Sequence, residues 1–196
     1  MPIQIVNLTG DYVSPTDRQQ QAANKHCAVT IDFHFNSSSD KKAKGGEVWY
    51  KPNDDLAKNL ARDILQGYKN VGLPIHGSNG LEAATTGTRS SFIRHYPCPS
   101  VLLEPLFVTN QEQAEWIHNS SNLKSLAQAI ADCIKAHFPN AIVGISVGHL
   151  YKTSQPNDKG APCILRDSEA DHGKALADEV SARLQNVHLE IDEITE

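Results

Sequence analysis

Short apolar runs alternate along this chain with longer amphipathic ones, and that alternation constrains the fold more than any other feature. Ile3–Leu8, "AVTIDFHFN", "EVWY", "SVLLEPLF", "AIVGISV" and "VHLEI" are each too short for a core helix and read as strands. "SFIRHY" reads as a further strand. Between them lie stretches with helical spacing. Ser14 and Thr16 offer caps for a helix through "DRQQQAANKH". Pro52, Asn53 and Asp54 open a helix whose stripe is Leu56, Leu60, Ile64 and Leu65, with Gly72 and Pro74 beyond its end. "NQEQAEWI" is a helix, and so is "NLKSLAQAIADCIKAHF", with Leu123, Leu126, Ile130 and Ile134 on one face. Ser168 caps a last helix through "EADHGKALADEVSARL". Strands alternating with helices predict an α/β fold of three layers: a largely parallel, mixed sheet with helices on both faces.

The chain has 196 residues, 39% hydrophobic and 21% charged, with no repeat, low-complexity segment or linker. One domain spanning 1–196 is expected, and such a chain buries a core without staples. The four cysteines, Cys27, Cys98, Cys133 and Cys163, form no C-x-x-C pair. A four-cysteine zinc site is thereby disfavoured, and free thiols are expected. A net charge of −5 argues against nucleic acid as partner, and Lys41, Lys42 and Lys44 read as a solvated loop. No apolar run reaches the ~20 residues of a membrane span, and the N-terminus lacks the pattern of a signal peptide. Synthesis in the cytoplasm without export is expected.

In open α/β sheets ligands bind beyond the carboxyl ends of strands. His34, Glu104 and His149 stand at or near such ends, and Glu169 lies in the first turn of the helix after the His149 loop. Each has a plainer role when taken alone. A strand-end histidine is usually a surface or capping group, and Glu169 favours a helix N-terminus through the dipole. Glu104 is different, because a carboxylate inside "SVLLEPLF" is seldom left without a partner. Together, two histidines and a glutamate are a ligand set of catalytic zinc, and a further carboxylate is then available as general base. Asp32 shares a strand face with His34 and Asn36, opposite Ile31, Phe33 and Phe35. Among the remaining histidines, His95 and His172 are the first to reconsider.

"LLEPLFVTNQEQAEWI" resembles the segment of zinc-dependent N-acetylmuramoyl-L-alanine amidases in which a catalytic Glu precedes a Phe-x-x-Asn turn and a helix. "RQQQAANKHCAVTIDFHFNSS" resembles that family's Arg-x-x-x-Ala-Asn helix and the strand ending in Ser-x-His-x-Asn. In the family these blocks follow a strand, a Gly-His and a helix opened by a zinc-binding Glu. Nothing of that kind stands before Asn24, but "IVGISVGHLYKTSQPNDKGA" and "SEADHGKALADEVSARL" look like it, moved to the end. The order His34, Glu104, His149, Glu169 becomes the family order when rotated, so the chain resembles a circular permutant. Termini that lie close at a surface permit such a rearrangement. The joint would be "HFPNA", and "VHLEI" and "IQIVNL" would be neighbouring strands or parts of one edge.

The resemblance implies one Zn2+ held by His149, Glu169 and His34, with Glu104 as catalytic base and peptidoglycan as substrate. The bond cleaved would join N-acetylmuramic acid to L-alanine. Arg94 and Asn36 are expected at the substrate, and the Gly77–Gly87 loop as a groove wall or lid. Such an enzyme would act on the wall after release or delivery by another system, as a phage endolysin or tail-associated enzyme does, or on wall fragments within the cytoplasm. The family's residue after the first histidine is usually Gly, where Leu150 and Tyr151 follow here. Asp32 replaces the Ser before His34, and the 20-position gap from His149 to Glu169 leaves Asp167 or Asp171 open as the third ligand. The rival expectations are a zinc peptidase or deacylase with another amide substrate, and a non-catalytic wall-binding module with a decayed site.

Overall fold

Six strands and five α-helices follow one another in a computed structural model that describes residues 2–9, 14–86, 90–150, 155 and 157–186. In chain order they are β1 (Gln4–Asn7), α1 (Pro15–Asn24), β2 (Val29–Phe33), β3 (Glu47–Tyr50), α2 (Asp55–Asn70) and β4 (Leu81–Ala83). There follow β5 (Ser100–Glu104), α3 (Gln111–His118), α4 (Ser120–His137), β6 (Ile142–Val147) and α5 (Glu169–Leu184). Among the described residues the sheet order is β1-β6-β2-β5-β3-β4. The first four neighbours run parallel, β3 lies antiparallel to β5, and β4 runs parallel to β3. The sheet is mixed and largely parallel, with helices on both faces, as the alternation of elements predicts.

Central parallel strands are covered twice, which is why β2 and β5 are buried at every position. β5 reads as a near-continuous apolar run, whereas β2 alternates and carries Thr30 and Asp32 buried between its apolar residues. On one face Ile31, Phe33, Val101, Leu103 and Val143 pack against the apolar stripes of α2, α4 and α5. On the other, Leu102, Val6 and Trp49 meet Ala22 of α1 with Ile93 and Tyr96. Ile31 and Leu103 are fully buried, each contributing roughly 1.5–3 kcal/mol of transfer free energy. Local chemistry sets the helix starts. Ser14 and Ser168 each form a capping box, with Asp17 and Asp171, while Asp54 caps α2 and Asn119 caps α4. No helix among the described residues is long and apolar enough to cross a membrane, and the four cysteines are free.

Three local expectations fail. "SFIRHY" is not a strand; Ser91–His95 is a 3-10 helix, because both edges of the adjacent β5 are already paired, with β2 and β3. The stretch expected as a Gly-rich loop from Gly77 contains β4, which adds an outer strand beside β3. Leu56 is 55% exposed, since the stripe of α2 runs through Ala57, Leu60, Ala61, Ile64 and Leu65, one position on. The expected strand "VHLEI" lies outside the described residues.

Candidate metal and catalytic site

Strands β6, β2 and β5 are neighbours and run the same way, so their carboxyl ends emerge side by side. Adjacent strands lie about 4.8 Å apart, close enough for side chains at those ends to meet. Glu104 is the last residue of β5, His34 directly follows β2, and Gly148-His149 follow β6. The backbone locks the register: His34 N–H donates to Leu103 O at 3.0 Å, and Gly148 N–H donates to Phe33 O at 2.9 Å.

Glu169 is the first residue of α5 and is 6% exposed. Its Oε1 lies 2.9 Å from His34 Nδ1 and 3.3 Å from His149 Nε2. Ala161 N–H donates to its Oε2 at 3.1 Å. Burial by itself would raise the Glu169 carboxyl. Hydrogen bonding and electrostatic attraction from His149 and His34 outweigh it and hold the group far below the usual carboxylate range. The two imidazoles meet edge to face, with ring centroids 5.3 Å apart at 75°. On the far side of the His149 ring, Nδ1 is 3.2 Å from Asp158 Oδ2, the outer carboxylate contact that fixes a metal-binding histidine's tautomer.

Two glycines make this approach possible. A Cβ at Gly148 would stand 2.0 Å from His34 Cε1. A Cβ at Gly160, whose φ is +73°, would stand 2.6 Å from Glu169 Oε2 and 2.8 Å from His149 Cδ2. His149 itself has a φ of +59°, a left-handed conformation that a histidine adopts at some cost.

One ligand atom each from His34, His149 and Glu169 lies within 4.8 Å of the others. Two imidazoles and a buried, ionised carboxylate fit a divalent transition metal, and three protein ligands leave a position for water or substrate. The cluster opens on a cavity of about 850 Å³ whose walls include Glu104, Arg18, Phe92 and Ser37.

The other expected residues fall as follows. Asn36 is buried, and its amide donates to Glu47 Oε2 at 2.5 Å. Arg94 is not among the residues that line the cavity; its Nε is 3.0 Å from His95 Nε2, and its Nη1 donates to Thr86 Oγ1. The described part of the 77–87 segment does not line the cavity. Asp167 and Asp171 lie outside the cluster: Asp171 completes the Ser168 capping box, and Asp167 contacts His118 and His172. Leu150 is buried in the core, so the departure after His149 is a packing choice; Tyr151 lies outside the described residues.

Sequence reasoning overlooked Arg18 as a site residue, although it opens the quoted "RQQQAANKH" stretch. It is 6% exposed and lines the cavity. Its guanidinium donates to Ser146 Oγ at 2.6 Å, Val147 O at 3.0 Å and Leu150 O at 3.1 Å, tying α1 to the end of β6 and the residues after it. Asp158 was overlooked as well; its signal was a carboxylate two residues before a glycine in the loop after His149.

Two histidines and a glutamate thus meet beyond the carboxyl ends of the central strands, in an arrangement able to hold a metal ion, with Glu104 in the wall of the same cavity. The profile of the N-acetylmuramoyl-L-alanine amidase family (Amidase_3) matches residues 3–136, and the chain belongs to that family. No curated protein sequence matches it. Among solved structures it is similar to the catalytic domain of CwlV, an N-acetylmuramoyl-L-alanine amidase from Bacillus (Paenibacillus) polymyxa var. colistinus. That likeness has 23% identity and a TM-score of 0.56, over 65% of this chain and 66% of that one. An N-acetylmuramoyl-L-alanine amidase from Clostridium difficile 630 is similar at 23% identity and TM-score 0.56, over 65% and 67% of the two chains. The amidase Ami1 from Mycobacterium smegmatis is similar at 17% identity and TM-score 0.54, over 62% and 58%. This chain thus spans about 58% to 66% of the length of the first matched structures. At these identities the likeness is one of fold.

Proposed function

We propose that this protein is a zinc-dependent N-acetylmuramoyl-L-alanine amidase. His34, His149 and Glu169 hold the metal, and Glu104 is the catalytic base. The supporting observation is the convergence of these four residues, from four separate parts of the chain, on one cavity. Bound zinc supplies Lewis-acid chemistry, polarising a carbonyl and making water more acidic.

The chain's own residues do the rest. Glu104, buried at the end of β5 and lining the cavity, accepts a proton from the attacking water. As the water oxygen bonds to the amide carbon and the C–N bond breaks, Glu104 passes that proton to the leaving nitrogen of L-alanine. The products are a lactyl carboxylate and a free amine. Asp158 keeps the His149 ring oriented, and Phe92 with Phe35 gives the cavity apolar walls against a sugar–peptide substrate.

The chain order supports a circular permutation of the family domain. The family profile ends at 136, before the His149 and Glu169 block. Residues 139–140 form a turn joining α4 to β6. Helix α5 packs against β1, as two elements once consecutive would. A gene rearranged to begin at Asn140, with the present ends joined, should yield a folded protein of equal zinc affinity. An insoluble or zinc-free product would count against the permutation.

The test of activity is digestion of purified muropeptides followed by mass spectrometry. Release of the stem peptide with a free L-alanine amine is expected. Glu104→Gln should slow it by about 10²–10⁴-fold with zinc content unchanged. Cleavage of ordinary peptides but not of muropeptides would assign another amide substrate, and cleavage of neither by the zinc-loaded protein would refute the proposal.

A further inference from the structure

A second cluster of ligating side chains lies behind the first. One ligand atom each of His118, Cys163, Asp167 and His172 falls within 4.8 Å of the others. They come from three places: the last residue of α3, a tight turn before α5, and the first turn of α5. In that turn Cys163 N–H donates to Asp167 O at 2.8 Å, and Ile164 N–H donates to Val108 O at 3.1 Å.

The arrangement repeats the geometry at the cavity. There, two imidazoles converge on one oxygen of Glu169. Here, His118 Nε2 is 3.0 Å and His172 Nε2 is 3.1 Å from the same oxygen of Asp167, Oδ2. The rings again stand edge to face, with centroids 4.9 Å apart at 80°.

His172 supplies the observation that points to a ligand. It is 7% exposed, and its Nε2 faces Asp167 without the alignment of a hydrogen bond. That nitrogen and the buried Asp167 Oδ1 have no hydrogen-bond partner among the described residues. Buried polar atoms are seldom left so, and a shared cation is a standard remedy. His118 is prepared in the same sense. Its Nδ1 lies 2.6 Å from Ala114 O, a carbonyl that can only accept, so Nε2 carries the lone pair.

We propose that His118, Cys163, Asp167 and His172 form a second metal site, a closed four-ligand zinc site distinct from the one at the cavity. Two neutral imidazoles, a thiolate and a carboxylate neutralise a dication, suit zinc's borderline softness and complete a tetrahedron with no open position. Such a site is structural. It fastens the turn before α5 to α3 and fixes the helix start that carries Glu169, three residues before His172. Phe35 separates the two sites, its ring 5.6 Å from that of His172 and its N–H donating to Glu169 Oε1 at 3.4 Å. The proposal does not depend on what the cavity hydrolyses.

Cobalt substitution tests it, because a thiolate ligand adds a charge-transfer band in the near ultraviolet that a His-His-Glu site cannot produce. The 196-residue protein loaded with Co2+ should bind two equivalents and show that band. Cys163→Ser should lose the band, and it should bind the second equivalent at least about tenfold more weakly. His118→Ala, truncating a partly exposed side chain at the end of α3, should weaken the same equivalent, and it serves if the serine variant fails to fold. His34→Ala should keep the band and one equivalent. Wild-type protein with one equivalent and no band, or a band that survives Cys163→Ser, would overturn the proposal. Wild-type protein that binds no cobalt would overturn this site and the cavity metal together, whereas a failure of the proposed hydrolysis with the band intact would bear on the cavity alone.

Discussion

Gly148→Ala is the smallest change that tests the proposed metal cluster. A Cβ at Gly148 would lie 2.0 Å from Cε1 of His34 and 2.3 Å from both ring nitrogens. Ordinary contact begins near 3.4 Å, so the ring must retreat by about 3.4 − 2.0 = 1.4 Å. Zinc–nitrogen bonds tolerate only about ±0.2 Å around their usual length. The ring therefore cannot stay seated on Gly148 and also on a metal shared with Glu169. Zinc affinity should fall on the order of 10- to 100-fold, measured by competition with a chromophoric chelator. The overpacked turn should cost about 1–3 kcal/mol of stability, read from urea denaturation of the metal-free protein. A double-mutant cycle sharpens this result. In a His34→Ala background the added methyl has no ring to displace, so it should cost no further affinity. Unchanged zinc binding in Gly148→Ala, or the same loss with and without the His34 ring, would refute the assignment of His34 as a ligand held against Gly148.

Two further changes probe the scaffold around the site. Arg18→Met keeps the apolar stem but strips three acceptors, at Ser146, Val147 and Leu150, of their buried donor. It should cost about 3 kcal/mol, lowering Tm by roughly 6–12 °C for a domain this size; a loss below about 1 kcal/mol would mean that the network is dispensable. Ser168→Ala removes the capping box that starts α5. A loss of about 1 kcal/mol in urea denaturation is expected, with weaker zinc binding because Glu169 is the next residue; zinc affinity equal to wild type would show that Glu169 is positioned by its other contacts.

Much of the site was legible because its residues break local patterns. Glu104 is a charge inside an apolar run, His34 closes an alternating strand, and His149 follows a glycine at a strand end. Each of those signals is contained within a few residues. Arg18 gave no such signal: in sequence it is one polar residue in a polar helix, and only the packing of α1 over the sheet buries it. His118 and Cys163 were equally silent, because ligands 45 positions apart carry no mark of each other until α3 and the turn before α5 meet.

The chain's own pattern determined the class of fold, since apolar periodicity and capping residues act over single turns and single strands. It also determined which side chains stand at strand ends, because alternation assigns faces without knowing the partner strand. Tertiary structure decided the rest. The direction of β3, the 3-10 helix at Ser91–His95 and the strand inside the Gly-rich segment depend on which sheet edges are already paired. The meeting of His34, His149 and Glu169 depends on β6 lying beside β2, and the second cluster depends on α3 reaching the start of α5. These are contacts between distant segments, and no local propensity encodes them.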